Sequence, residues 1–233
     1  MVLTHDGFNS RVTDFVGDVE RAARCFAGPE PSIGVEFASV DSERFRAVVD
    51  AKINLLAPES ASSELAQLLV NYKLCADSYG DYMAVEHSTF ELRAKLDRAP
   101  IIRWDFDRRP RRKPSSHVQV TAHRGALSHL LSRLDHPNPH TMEALHIPMG
   151  GERFRPCVED IVEFLIRDCG FSGSSAWEET VREGRAKWRR IQTRAVVRDS
   201  PESAAIELEA MGYQVNRPSA GPVQERIDRL TAW

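Results

Sequence analysis

The spacing of apolar residues along the chain changes period, and the change separates helical from extended segments. Between Val12 and Phe26, apolar residues recur every three or four positions, which is the spacing of one face of a helix. Asn9 or Ser10 is the expected N-cap, and Gly28 is the expected end of the helix. The sequence therefore predicts an amphipathic N-terminal helix.

Apolar and β-branched residues dominate five later segments and predict strands: Phe45–Leu56, Val70–Ala76, Tyr82–Leu96, Ile101–Asp107 and His117–His123. The stretch Glu64–Leu69 has no clear period, and a short helix is one interpretation of it. Tyr79–Gly80–Asp81 is typical of a tight turn. These segments follow one another through short connections, which predicts an antiparallel meander of about five strands.

After His123 the pattern becomes mostly helical. Helices are predicted for four segments and a short extended piece for a fifth: Gly125–Leu134, Pro156–Gly170, Trp177–Ala195, Pro201–Gly212 and, extended, Leu145–Met149. Pro156 is expected at the first helical position of its segment. The order of helix, strands and helices favours the α+β class. We expect a core domain over residues 1–170 and a helical extension over 171–233 that packs on it as part of one folding unit.

Composition narrows the class of protein without naming an activity. The chain has 233 residues, 42% of them apolar and 28% charged, which fits a globular protein and excludes collagen, coiled-coil rods and wholesale disorder. No apolar run approaches the roughly 20 residues of a membrane span, and the N-terminus lacks a signal-peptide pattern. The four cysteines are far apart, which favours buried free thiols and a cytoplasmic location.

Charge is distributed unevenly along the chain. The net charge is -3, yet the segments Arg103–Lys113 and Arg182–Arg198 carry local charges of +4 and +6. An anionic partner such as RNA or DNA would use this segregation, whereas the alternative is an ordinary solvated hairpin tip and helix face. The candidate nucleic-acid-binding residues are Arg108, Arg109, Arg111, Arg112, Lys113, Arg185, Lys187, Arg189, Arg190 and Arg194.

Two predicted strands place polar side chains on a common face. Side chains alternate with a period of two, so Arg103, Asp105 and Asp107 lie opposite the apolar residues of their strand. His117 and His123 occupy the equivalent polar face of the next strand. If the two strands pair with their apolar faces on the core, the polar sets come together. The alternative is a solvated outer face, although the following helices are expected to cover it and form a cleft.

These residue types suit phosphodiester chemistry. Arginine can hold a phosphate, histidines can exchange protons near neutral pH, and Asp105 can orient a histidine. A second interpretation is a divalent metal held by Asp105, Asp107 and His117; the cofactor is otherwise unknown, because no nucleotide-cofactor motif occurs. The candidate catalytic residues are Arg103, Asp105, Asp107, His117, His123 and His146.

Four segments in a fixed order resemble an uncharacterised bacterial family, a domain of unknown function: PIIRWDFD at 100–107, SHVQV at 116–120, HIPM at 146–149 and PCVEDIVEFLIR at 156–167. The resemblance covers about residues 99–170. It implies that Arg103, Asp105, Asp107 and His117 form one unit, which is either functional or a folding motif, and it implies no activity. Thr121–Ala122 replaces a usual glycine, and His146 replaces a frequent arginine.

Three functions therefore stay open. The first is an enzyme of the toxin or defence type that acts on nucleic acid or nucleotides, in the manner of a nuclease. The second is a non-catalytic nucleic-acid-binding protein whose basic helix carries the binding. The third is an assembly module in which the C-terminal helix and Trp233 dock on a protein partner or a second copy of the chain.

Overall fold

The computed structural model describes residues 3–38, 44–58, 63–77, 80, 82–134, 136–151 and 153–232. Its strands are β1 (Ser32–Phe37), β2 (Arg46–Leu56), β3 (Glu64–Ala76), β4 (Met83–Ala94), β5 (Pro100–Asp107), β6 (Ser116–Val120) and β7 (Ile147–Pro148). Its helices are α1 (His5–Ala23), α2 (Gly125–Arg133), α3 (Val158–Arg167), α4 (Trp177–Asp199), α5 (Pro201–Ala210) and α6 (Ile227–Leu230). A 3₁₀ turn covers Met142–Ala144.

The strands form a single antiparallel sheet in the order β1 to β7. The α+β class and the meander order are confirmed, but the predicted count of about five strands is wrong, because the described residues hold seven. The two additional strands are β1 and β7. Ile33, Val35 and Phe37 alternate along β1, a strand pattern that the prediction missed, whereas β7 has only two residues and too few positions for a pattern.

Residues 64–69 are the beginning of β3 rather than a short helix. Ala66 pairs with Leu55, and Leu68 pairs with Ile53, so both side chains enter the core beside the preceding strand. This cross-strand pairing determines the secondary structure of a segment whose local sequence is compatible with either a strand or a helix. Of the predicted turn that follows β3, residues 79 and 81 lie outside the described residues.

Helices α1, α3 and α4 lie on the apolar face of the sheet. Tyr72 packs edge-on against Phe15 of α1, and Trp104 packs edge-on against Phe164 of α3. Helix α4 contacts α1 and α3, while α5 and α6 contact α4. The expectation that the C-terminal helices cover the polar face is therefore wrong, because their own apolar stripes bury against the opposite face.

The ends of two helices differ from the sequence-based expectation. Thr4 caps α1 by accepting a hydrogen bond from the backbone of Gly7, so the helix begins before Asn9 and Ser10. Cys157 is the N-cap of α3, which leaves Pro156 outside the helix. Three of the four cysteines are buried free thiols as predicted, whereas Cys169 is exposed. The boundary at residue 170 stays a prediction.

Candidate active site

The register of β5 and β6 brings the predicted polar residues together. Asp105 lies opposite His117, and Arg103 lies opposite Gln119. On the other side of β5, Thr89 of β4 lies opposite Asp105. The prediction that Arg103, Asp105 and His117 share one polar face is therefore confirmed.

Asp105 is the centre of this cluster and is only 5% exposed. Thr89 Oγ1 donates a hydrogen bond of 3.0 Å to its Oδ1, and Arg103 Nε donates one of 2.7 Å to its Oδ2. Burial by itself raises the pKa of the carboxyl, but His117, Arg103 and Thr89 together lower it to about 2. Asp105 is therefore a carboxylate at neutral pH.

His117 is held beneath the surface, with its side chain fully buried. Its Nδ1 lies 3.1 Å from the carbonyl oxygen of Pro114, and because a carbonyl only accepts, Nδ1 carries the hydrogen. Its Nε2 lies 3.5 Å from Asp105 Oδ2, which is the outer limit of a hydrogen bond, so this contact is mainly electrostatic. A substrate cannot reach this ring, so His117 acts only through its neighbours.

His146 is the exposed member of the cluster. It directly precedes β7, which pairs with β6, and its ring lies 4.7 Å from the ring of His117 between centroids. Partial burial, followed by the charges of His117 and Lys113, lowers the pKa of His146 below its usual value. At neutral pH this imidazole is unprotonated and can accept a proton from a molecule at the surface.

The segment that covers this part of the sheet is the 3₁₀ turn and β7, not the C-terminal helices. Gln119 receives a hydrogen bond from Arg103 and donates one of 2.7 Å to the carbonyl oxygen of Glu143. The backbone N–H of Met142 donates a hydrogen bond of 3.0 Å to the carbonyl oxygen of Ala122. These bonds fix the segment that carries His146 over Arg103 and His117.

Three further polar residues join the cluster although the sequence reasoning did not select them: His87, Thr89 and Gln119. Thr89 donates its hydroxyl hydrogen to Asp105 and therefore accepts from His87 Nε2 at 3.0 Å. Burial lowers the pKa of His87. Since His87 and Thr89 are two positions apart in a strand, the alternation that selected Asp105 could also have found them.

Of the other predicted catalytic residues, Asp107 lies at the edge of the cluster, opposite His87 in the β4–β5 pairing, and His123 lies outside it. Asp107 ends β5 and accepts a hydrogen bond of 2.9 Å from the backbone of Arg109, which is the role of a turn residue. His123 lies three residues after β6 ends and is exposed. The predicted continuation of the strand to His123 is wrong, because β6 ends at Val120 and the chain then leaves the sheet.

The two basic segments approach each other at one end of the sheet, where Arg108 of the hairpin tip lines the same helical-side cavity as Arg194 and Arg198 of α4. The β5–β6 hairpin tip, residues 108–113, exposes Arg109, Arg111 and Arg112, while Arg108 and Lys113 are half-buried. The charge of Lys113 acts on both His87 and His146, so this tip adjoins the cluster. The basic part of α4 lies on the helical side, away from the histidines.

Two of the five candidate cations on α4 make close ion pairs within the protein. Arg185 pairs with Asp160 and Glu163, and Lys187 pairs with Asp18 at 2.6 Å. Arg189, Arg190 and Arg194 are exposed. Part of the positive charge of α4 therefore forms ion pairs that attach this helix to α1 and α3.

Within the described residues, no group of three or more His, Cys, Asp and Glu side chains is arranged to hold a metal ion. Asp105 and His117 are close, but the carboxylate of Asp107 accepts a hydrogen bond from the backbone of Arg109 in the hairpin. The described part of the chain also holds no helix long and apolar enough to cross a membrane.

Comparison with known proteins finds no matching family model, no matching curated protein and no matching solved structure. The resemblance of residues 99–170 to a bacterial family therefore stays a prediction. The assignment of function depends on the residues themselves.

Proposed function

We propose that the protein is a ribonuclease that cleaves RNA by transesterification at His146. The observation that carries this proposal is the network of Arg103, Asp105 and buried His117 beneath an exposed, unprotonated His146. RNA is favoured over DNA because its 2′-hydroxyl is an internal nucleophile. Because the nucleophile is part of the substrate, one accessible histidine and one phosphate-binding arginine are enough to cleave the phosphodiester bond.

Burying a network of charged groups lowers the stability of a fold unless the groups are paired with one another. Removing charges from water costs several kcal/mol for each ion, which the mutual attraction only partly restores. Such clusters are common at functional sites because they fix the position and protonation of an exposed group. Here the fixed group is His146, and the buried residues that support it are Asp105 and His117.

The proposed step assigns one role to each accessible residue. Arg103, whose side chain is 37% exposed, binds the phosphate and stabilises its developing negative charge. A ring nitrogen of His146 takes the proton of the 2′-hydroxyl, and the 2′ oxygen bonds to phosphorus. The bond from phosphorus to the 5′ oxygen breaks, and that oxygen takes a proton from water.

The hairpin tip supplies the longer contact with RNA. Lys113, whose charge acts on His87 and His146, is the tip residue next to the cluster, and the exposed Arg109, Arg111 and Arg112 extend the positive surface from it towards further phosphates. Cleavage of cellular RNA in the cytoplasm would suit a toxin or defence module. Because the contacts are between arginines and phosphates, binding of RNA should weaken steeply as the salt concentration rises.

The test compares wild type with His146→Ala on labelled RNA and on DNA of the same sequence. We expect RNA cleavage to fall by roughly 10²–10⁴-fold in His146→Ala, the usual contribution of a general base. His123→Ala is the matched control, because it removes an exposed histidine outside the cluster. Equal activity of wild type and His146→Ala would exclude the mechanism.

The pH dependence of the rate gives a second criterion. Because the pKa of His146 is lowered, we expect RNA cleavage to persist below pH 6.5 before protonation of the base stops it. If RNA binds in a salt-dependent manner but is not cleaved, the protein is a binding module. If only DNA is cleaved, the assignment of substrate is wrong.

A further inference from the structure

We propose that a second site, on the helical side of the sheet, binds a nucleoside phosphate. A cavity of about 490 Å³ lies there between α1, α4 and strands β3 to β5. Its volume is within the range of small-molecule sites. The polar network of Asp105 lies on the other face, so this inference is independent of the proposed ribonuclease.

The cavity has a strongly positive lining. Among the described residues that line it, seven are cationic and three are carboxylates, a net charge of +4. Lys187 pairs with Asp18 and Arg153 pairs with Asp199, so these two cations are already neutralised within the protein. Arg11, Arg194 and Arg198 are exposed cations of this lining, placed where a phosphate can meet them.

Arg155 is built into the wall rather than left at the rim. It is 8% exposed, and its guanidinium lies 3.8 Å from the ring centre of Phe106 and 4.8 Å from that of Trp188. Stacking between two rings holds a guanidinium in one plane, which suits recognition of planar or anionic groups. Arg198 is similarly stacked on Tyr82.

The deeper part of the cavity is polar as well as aromatic. Tyr72, Cys157 and Glu159 line it and are buried. Gln192 lines it too, and its buried Oε1 accepts no hydrogen bond within the described residues. A fatty acyl chain would leave these groups without partners, whereas the ring of a nucleobase offers donors and acceptors at its edge.

The charge, the rings and the unused acceptor together select the ligand class. The cationic lining suits a phosphate, the aromatic walls suit a flat ring, and Gln192 suits a donor such as an exocyclic amino group. A nucleoside monophosphate combines these features in a molecule that this volume can hold. Adenosine monophosphate is therefore the probe for the first measurement.

The test is isothermal titration of the full chain with adenosine monophosphate, adenosine, inorganic phosphate and dodecanoate. We expect the monophosphate to bind at least about tenfold more tightly than adenosine or phosphate alone. Tighter binding of dodecanoate, or no binding of the monophosphate, overturns the proposal. Equal affinity for phosphate alone overturns the assignment of a base pocket.

Variants on one helix locate the site. Arg194→Glu with Arg198→Glu should lower the affinity for the monophosphate at least about tenfold. Arg190→Glu is the matched control, because it reverses an exposed arginine on α4 that does not line the cavity. If the Arg190→Glu protein loses as much affinity as the Arg194→Glu, Arg198→Glu protein, the cavity is not the binding site. A loss of affinity in His146→Gln also overturns the proposal, because it would place the binding site on the other face of the sheet.

Discussion

Two buried carboxyl groups of this protein, Asp105 and Glu159, have pKa values displaced in opposite directions. They are almost equally inaccessible, with 5% and 7% of each residue exposed. The pKa of Asp105 falls to about 2, while burial raises that of Glu159 and the charges of Asp160 and Asp18 add to the increase. Neighbouring groups, rather than depth, therefore decide whether a buried carboxyl keeps its charge.

The two carboxyl groups belong to two regions: the polar cluster around Asp105, which is the first region, and the helical-side cavity lined by Glu159, which is the second. The largest expected effect follows from removing the carboxylate of Asp105. Asp105→Ala leaves Arg103 and His117 without their shared partner in a buried site. We expect the free energy of unfolding to fall by about 3 kcal/mol, the low end for a broken buried ion pair, because the side chain of Arg103 is 37% exposed. Urea denaturation measures it.

The exposed His123→Ala protein should unfold like wild type in the same experiment. A loss of less than about 1 kcal/mol in Asp105→Ala would mean that the cluster is solvated and contributes little to the fold. It would also remove the reason to treat His117 as a positioning residue.

Acid should weaken the same region by a smaller amount. The pKa of Asp105 is lower in the folded protein than the usual 3.8, so its contribution is complete above that value and is lost as the pH falls towards 2. A shift of this size corresponds to about 2 kcal/mol. The difference in unfolding free energy between wild type and Asp105→Asn should shrink over this interval and stay constant from pH 5 to 7.

Glu159 should show the opposite dependence, with the smallest effect. Because its pKa is raised in the folded protein, ionisation at higher pH destabilises the fold. We expect Glu159→Gln to be more stable than wild type at pH 8 and equally stable at pH 4. Thermal unfolding at the two pH values measures the difference, and a loss of stability at pH 8 would contradict the comparison.

The first region was predictable from the sequence because a strand imposes a strict alternation. Trp104 and Phe106 fix the core face of β5, and the positions of Arg103 and Asp105 follow from them. The covering segment could not be predicted in this way, since its contact with Gln119 is made by a backbone carbonyl, that of Glu143. A carbonyl group leaves no signature in a sequence.

The second region was not predictable from any local pattern. Tyr72, Glu159 and Trp188 come from a strand and two helices, and only the packing of α3 and α4 on the sheet brings them together. The basic run of α4 did suggest an anionic partner. Its division into residues that fasten the helix, such as Arg185, and residues that line the cavity, such as Arg194, depends on the tertiary structure.

The short length of β7 has a consequence for how heat would affect the proposed activity. Two residue pairs attach this strand to β6, and His146 precedes it directly. Fraying at this margin would separate the imidazole from His117 while the long central ladders stay intact. Mild heating would then abolish the proposed ribonuclease activity before circular dichroism shows any unfolding, and cooling would restore it without refolding.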